Sequence, residues 1–359
     1  MDRIRVLVVD DAAVVRRLVM NGLNRDPALE VVGTAADGQM ALARLTDLQP
    51  DVVLLDLEMP VMDGIQTLVA LRKTHPRLPV IMFSRHTQRG VEATVHALTL
   101  GADDYVPKPG DGLDVNKCIE ELLIPKIKLL ARRSGLRCQA QTPTAASPLS
   151  GGSLARAQVL PRRVELVAIG ASTGGPNALA DLLHAFPPDW SVPIAIVQHM
   201  PPDFTARLAE RLTQNSRLRV REGAAGEVVA GGSAWVAPGN YHLLVRRAFP
   251  AVRLALNQEP PVNSCRPSVD VLFRSAAEVY GPGVLAVVLT GMGQDGLRGC
   301  ECVREAGGQV IVQDEATSVV WSMPGAVARA GLADQVLPLE RLGPEIVRRV
   351  QRGPAPGTQ

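Results

Sequence analysis

The stretch VELVAIGASTGGP, residues 164–176, decides how the second half of this 359-residue chain is read. A short apolar run rich in β-branched residues ends at Gly170, a serine stands at the turn, and Pro176 takes the first position of the next helix. Leu179, Leu182, Leu183 and Phe186 then supply an apolar helix face. Strand, tight turn and helix in that order are the setting in which a G-x-S-x-G segment, here 170–174, holds a serine hydroxyl out at a sheet edge. Two more apolar runs repeat the pattern. Run 192–197 leads into His199 in QHMPP (198–202), and run 284–289 leads into Asp295 in GMGQDG (291–296). All three runs read as buried parallel strands, so their loops converge on one sheet edge, where open α/β sheets place their ligand crevice.

Serine, histidine and carboxylate on neighbouring strand ends are the components of nucleophilic catalysis. A serine hydroxyl is a weak nucleophile and needs a base within hydrogen-bond reach. His199 is the candidate, expected to be neutral near pH 7, and Asp295 would fix its tautomer and stabilise the imidazolium. The chain order Ser172, His199, Asp295 differs from the serine–acid–histidine order of α/β-hydrolases. Each residue alone has a plainer role: the glycine-rich loop as a phosphate or dinucleotide cradle, His199 as a structural histidine, Asp295 as a helix N-cap. Against a dinucleotide site, the loop lacks G-x-G-x-x-G spacing and no acidic residue ends the 192–197 run. His242, in GNYH (239–242), either lines the cleft or has a structural role on a hairpin.

Composition narrows the class. A formal net charge of +2 and 3% aromatic residues leave neither the basic stripe nor the stacking platform of a nucleic-acid-binding protein. No apolar run is long enough to cross a membrane, and no cleavable apolar segment precedes the first strand, so a cytoplasmic protein without membrane insertion is expected. Five cysteines, an odd number without framework spacing, suit a reducing compartment. Cys300 and Cys302 lie two apart on a predicted helix and face away from each other, which makes them poor joint metal ligands.

Strands and helices also alternate through the first half. Strands are predicted at 5–9, 31–34, 52–55, 80–83 and 105–106, and helices at 12–23, 38–48, 65–74, 89–100 and 115–132, the last kinked at Pro125. This is a five-stranded parallel sheet of flavodoxin type. From Ser134 the periodicity lapses into small polar residues, Pro and Gly, which marks a flexible linker. The domains are therefore expected at 1–132 and 163–355, with the linker at 133–162. The second is read as a doubly wound, mainly parallel α/β domain with an antiparallel hairpin. In the first, Asp10, Asp11 and Asp56 gather at strand ends with Ser84 and Lys108. Three carboxylates at one edge raise each other's pKa unless a cation neutralises them, and an all-oxygen cluster with room for water suits Mg²⁺.

The first half resembles the receiver domain of two-component response regulators, on VVDD (8–11), LLDLEMPVMDG (54–64), the Ser84 loop and GADDYVPKP (101–109). The resemblance implies that Asp56 accepts a phosphoryl group from a histidine kinase. It implies Mg²⁺ held by Asp11, Asp56 and the Glu58 backbone carbonyl, with Asp10 in support. Lys108 and Ser84 would engage the phosphoryl oxygens, and Tyr105 would report the change through its rotamer. Residues 164–342 resemble the CheB family of chemotaxis protein-glutamate methylesterases, on IGASTGGP (169–176), QHMP (198–201), APGNYHL (237–243), RPSVDVLF (266–273) and LTGMGQDG (289–296). That likeness implies hydrolysis of glutamate γ-methyl esters on chemoreceptors with release of methanol, deamidation of receptor glutamines, and no cofactor in the hydrolase. Ser172 would be the nucleophile, His199 the general base and acid, and Asp295 the orienting carboxylate, with amides near Thr173 and Met292 as oxyanion donors. Many relatives have histidine where Cys265 stands. The unphosphorylated receiver is expected to dock over the catalytic edge. Two rival outputs are a nucleic-acid-binding domain, which would need a basic recognition helix not evident after the linker, and a nucleotide-binding oxidoreductase.

Overall fold

The structure, a computed structural model, describes residues 3–85, 87–108, 115–139 and 163–351. In the first half the chain runs β1 (Ile4–Val9), α1 (Ala13–Leu23), β2 (Leu29–Ala35), α2 (Gly38–Leu48), β3 (Val52–Leu55), α3 (Gly64–Thr74), β4 (Val80–Ser84), α4 (Gln88–Thr99) and β5 (Asp104–Pro107). The starts of α2, α3 and α4 are set by side-chain caps. Asp37 accepts from the Met40 amide, Asp63 forms a capping box with Gln66, and Thr87 accepts from the Gly90 amide. The strands pair in parallel in the order β2-β1-β3-β4-β5, which puts β1, β3 and β4 in the middle and their acidic ends side by side.

After α5 (Val115–Cys118) comes a π-helical turn, Ile119–Leu123, and then α6 (Ile124–Gln139). The irregularity expected at Pro125 falls just before it, because proline offers no amide to the carbonyl four residues back. Helix α6 continues to Gln139 through Ser134 and Gly135, whose weak propensity is carried by the flanking helix formers. The rest of the expected linker, 140–162, lies outside the described residues.

The second half forms a seven-stranded sheet. Its elements are β6 (Leu166–Ala171), α7 (Gly175–His184), β7 (Ile194–Gln198), α8 (Phe204–Asn215), β8 (Arg219–Glu222), β9 (Ser233–Val236), β10 (His242–Ala248), β11 (Ala251–Asn257), α9 (Val269–Tyr280), β12 (Val284–Val288), α10 (Leu297–Glu305), β13 (Gln309–Gln313), α11 (Ser322–Arg329), β14 (Gln335–Leu337) and α12 (Leu339–Gln351). The order is β14-β13-β12-β6-β7-β9-β8, every neighbour parallel, and β10 and β11 form the separate antiparallel hairpin. The central strands are buried on both faces, which explains their continuous apolar runs. Strands β12, β6 and β7 are adjacent, with Gly170 level with Val288 and Val197. Their three loops are therefore neighbours.

The two halves pack against each other. Helix α4 lies on α7 and α8, and the Tyr105 ring stacks on Phe204 with centroids 4.8 Å apart. Arg211 Nη1 donates to the Val95 carbonyl at 2.9 Å, and Thr173 Oγ1 donates to Asp104 Oδ2 at 2.6 Å. Among the described residues no helix is long and apolar enough to cross a membrane.

Candidate active site

Ser172 sits at the end of β6, where its amide donates to the Thr290 carbonyl at 3.0 Å and its carbonyl receives the Gly175 amide at 2.8 Å. The turn needs two glycines for different reasons. Gly174 adopts φ +76, a left-handed conformation that a β-carbon disfavours. Gly291, on the neighbouring loop, lies so close that a β-carbon there would fall 2.9 Å from Ser172 Cβ. Helix α7 starts at Gly175, so Pro176 occupies its second position.

His199 follows β7, and its amide donates to the Ala171 carbonyl at 3.1 Å. Gln198, fully buried between the two loops, ties them together. Its Nε2 donates to the Ser172 carbonyl at 2.9 Å and to the His199 carbonyl at 3.4 Å, while Oε1 has no partner among the described residues. The imidazole Nε2 lies 2.8 Å from Asp295 Oδ2, and Nδ1 lies 3.6 Å from Cys265 Sγ. Base and carboxylate are thus joined. The Ser172 hydroxyl makes no hydrogen bond among the described residues, and in an unliganded hydrolase that last contact commonly tightens only with substrate.

Asp295 is held by five donors. Oδ2 accepts from His199 Nε2 and from the Val269 amide at 2.6 Å; Oδ1 accepts from Ser268 Oγ at 2.8 Å, Asn263 Nδ2 at 2.9 Å and the Asp270 amide at 3.2 Å. It does cap a helix, but α9 rather than the α10 it precedes. Asp270 returns the arrangement, accepting the Gly296 and Gly299 amides at the start of α10 at 2.9 and 2.7 Å. The two carboxylates therefore cross-cap two helices, each helix N-terminus favouring the negative charge placed on it.

This network sets the charges. Burial alone would raise the Asp295 pKa; the hydrogen bond and charge of His199, with the Val269 amide and Asn263, outweigh it and bring the carboxyl down to about 2. Burial would lower the His199 pKa; the bonds to Asp295 and Cys265 and their charges outweigh it and push the imidazole up to about 9. The expectation of a neutral imidazole near pH 7 is thus corrected: in the resting protein the pair favours imidazolium.

His242 does not line the cleft. It is fully buried, accepting the Ser268 amide on Nδ1 at 3.2 Å, with Nε2 at 3.2 Å from the Pro260 carbonyl. An acceptor Nδ1 leaves the proton on Nε2, so the ring is a neutral strut behind Ser268. Ser268 is buried as well, and its hydroxyl is committed to Asp295. For the expected oxyanion donors, neither the Thr173 nor the Met292 amide donates a hydrogen bond among the described residues. The sequence reading missed Gln198, Asn263, Ser268 and Asp270, whose roles lie in contacts between separate strand ends. Asp270 carried one visible signal, a carboxylate in the first turn of a helix.

In the receiver half, Asp10, Asp11 and Asp56 offer carboxylate oxygens within 4.8 Å of one another, an acidic cluster of the kind that holds Mg²⁺. Lys108 Nζ stands 2.7 Å from both Asp10 and Asp56. Burial pushes the Asp56 carboxyl up to about 6 in spite of Lys108. A pocket beside the cluster is lined by Asp11, Asp56, Glu58, Ser84 and Gly90. The Ser84 hydroxyl bonds Thr94 at 2.6 Å. Tyr105 is buried in the interface on Phe204, and its neighbour Asp104 is paired with Lys126 at 2.8 Å as well as with Thr173.

Comparison with known proteins agrees with both halves. The family described as CheB methylesterase matches residues 167–346, and the response regulator receiver domain matches residues 6–120. The chain is 52% identical to a protein-glutamate methylesterase/protein-glutamine glutaminase of Trichodesmium erythraeum, across 98% of this chain and 100% of that one. It is 51% identical to the protein of the same description from a Nocardioides species, across 98% and 97%. The crystal structure of the Thermotoga maritima CheB methylesterase catalytic domain matches 52% of this chain and 98% of that one, at 41% identity and a TM-score of 0.51. With these matches spanning nearly the whole sequence and a His199–Asp295 pair at the sheet edge, the chain belongs to the CheB family of receiver-regulated protein-glutamate methylesterases/protein-glutamine glutaminases.

Proposed function

We propose that Ser172 is the nucleophile of this methylesterase, that its substrates are methylated glutamates of chemoreceptors, and that phosphorylation of Asp56 relieves inhibition by the docked receiver. The observation that carries the catalytic part is the His199–Asp295 bond at 2.8 Å, one strand from Ser172. With Nε2 on Asp295, Nδ1 is the nitrogen left to take the serine proton. The oxygen attacks the γ-ester carbonyl, the oxyanion forms against the Thr173 and Met292 amides, and methanol leaves with the proton from His199. Water then repeats the sequence on the acyl-enzyme and releases glutamate. Receptor glutamine passes through the same tetrahedral state but must expel a poorer leaving group, so deamidation is the slower reaction.

Asp11, Asp56 and the Glu58 backbone carbonyl would hold Mg²⁺, with Asp10 in support. Their all-oxygen donor set and the exposed Asp11, which leaves room for water, fit that ion. When bound it neutralises carboxylate and phosphoryl charge. A histidine kinase supplies the phosphoryl group; Lys108 and the Ser84 hydroxyl engage its oxygens, drawing Ser84 from Thr94. The change reaches the hydrolase through Tyr105 and Asp104, because Phe204 and Thr173 are their partners and Thr173 adjoins Ser172.

The test is methanol release from methyl-labelled receptor by the full chain, with and without a small-molecule phosphodonor and Mg²⁺. Phosphorylation is expected to raise the rate about tenfold, consistent with a coupling near 1.4 kcal/mol. Asp56→Asn should lose the increment, and Asp104→Ala should raise the unphosphorylated rate. No methanol under either condition would overturn the reading. The rate has a pH signature too. Because the base must be neutral and its pKa stands at about 9, kcat/KM should climb about tenfold per pH unit between 7 and 8 and level off beyond 9. A plateau already reached at pH 7 would mean that the working imidazole keeps its ordinary pKa and that the Asp295 and Cys265 contacts do not raise it.

A further inference from the structure

Cys265 brings a thiol to the catalytic imidazole. Its Sγ lies 3.6 Å from His199 Nδ1, the nitrogen left over once Nε2 is bonded to Asp295. The sulfur is held there by a built turn. Val262 and Cys265 exchange backbone bonds at 3.1 and 2.9 Å around Asn263 and Ser264, both left-handed at φ +52 and +62. Asn263 in turn donates to Asp295 at 2.9 Å and to Asp270 at 2.7 Å. One carboxylate thus orients the imidazole and anchors the turn that carries the thiol.

Thiol, imidazole and carboxylate in a line are the array that makes sulfur a nucleophile. As a metal centre they are poorly arranged, because His199 turns Nε2 to Asp295 and Nδ1 to Cys265, and both Asp295 oxygens already accept hydrogen bonds. The other described cysteines lack the array. Cys300 is fully buried, with its thiol pushed up by burial, and Cys118 is likewise raised by burial, with its sulfur on the Pro107 carbonyl at 3.6 Å. Cys302 is half-buried like Cys265 but has no imidazole beside it among the described residues, which makes it an internal control.

We propose that Cys265 is a covalent modification site for soft electrophiles and peroxides, and that its modification shuts the hydrolase. In the neutral form of the imidazole, His199 Nδ1 accepts the thiol proton as sulfur attacks. With a haloacetamide, the S–C bond forms and the C–halogen bond breaks, releasing halide. With hydrogen peroxide, an S–O bond forms and the O–O bond breaks; the departing hydroxide takes the proton from His199 and leaves as water. Sulfur is oxidised to sulfenic acid and peroxide is reduced. Either adduct occupies the position facing Nδ1, which, on the reading of His199 as the base, is where the serine proton must arrive.

The experiment is limited iodoacetamide treatment of the full-length protein, followed by peptide mapping and ester hydrolysis on the same samples. Cys265 should be carbamidomethylated about tenfold faster than Cys302. In His199→Ala its rate should fall to that of Cys302. Wild-type hydrolysis should decline in proportion to the Cys265 label, while Cys265→Ala retains its own starting rate under the same treatment. Inactivation by hydrogen peroxide should be reversed by dithiothreitol in the wild type and absent in Cys265→Ala. Equal labelling of Cys265 and Cys302 in the wild type overturns the site, and full labelling with undiminished hydrolysis overturns its effect. Labelling is read by mass, so it stands or falls independently of the role given to His199 in ester hydrolysis.

Discussion

Ser172→Ala is expected to reduce methanol release from methylated receptor by about 10⁴-fold or more, the scale on which loss of a triad nucleophile acts. Stability should barely move. The Ser172 hydroxyl makes no hydrogen bond among the described residues, and the turn is fixed by backbone bonds at Thr290 and Gly175 and by Gln198, all of which survive the substitution. The melting temperature should stay within about 2 °C. Ser268→Ala supplies the contrast. Its hydroxyl is buried on Asp295, so removing it leaves an acceptor short and costs about 1–2 kcal/mol of stability, with a much smaller effect on rate. Methanol release and thermal melts on both variants separate the two serines. Should Ser268→Ala be the dead enzyme and Ser172→Ala run at the wild-type rate, the nucleophile has been assigned to the wrong serine.

The legible parts were those written in short-range pattern. Continuous β-branched runs announced buried parallel strands, and the loop after each placed Ser172, His199 and Asp295 at adjacent ends of β6, β7 and β12. The aspartates of the receiver half were legible for the same reason: β1 and β3 end at them. What periodicity could not carry was contact between distant segments. Nothing in QHMPP says that Gln198 bridges two loops, and nothing in the 262–265 turn says that its thiol meets His199. His242 kept two readings because a histidine entering a hairpin looks the same whether its ring faces a cleft or a helix start; only its bonds to Ser268 and Pro260 decide. The imidazole's charge was misjudged for a related cause. Its pKa depends on Cys265 and on the five-donor cage around Asp295, which converge from three separate segments.

Asp295→Asn tests that cage, and its effect should be double. An amide has one acceptor oxygen and a donor NH₂, so at least one of the groups facing it, the His199 N–H with the Val269 amide or the Ser268, Asn263 and Asp270 donors, meets another donor. Loss of the imidazole's orientation and tautomer is expected to lower kcat about 10⁴-fold, and breaking a buried pair that also caps α9 should cost about 3 kcal/mol. The pH dependence separates the charge from the packing. In the wild type the Asp295 pKa, held near 2 against 3.8, contributes stability above pH 3.8 that is lost as pH falls toward 2. The His199 pKa, raised from 6.5 to about 9, contributes stability below pH 6.5 that is lost as pH rises through 9. Both describe one ion pair, so melting temperature should be highest between about pH 4 and 6.5 and decline on either side. In Asp295→Asn the alkaline limb should flatten, because an imidazole without its carboxylate loses the interaction that holds its proton. Thermal melts from pH 3 to 9 decide it: a variant whose alkaline decline matches the wild type would mean that His199 draws its charge stabilisation from elsewhere, and the orienting role would pass from Asp295 to another group.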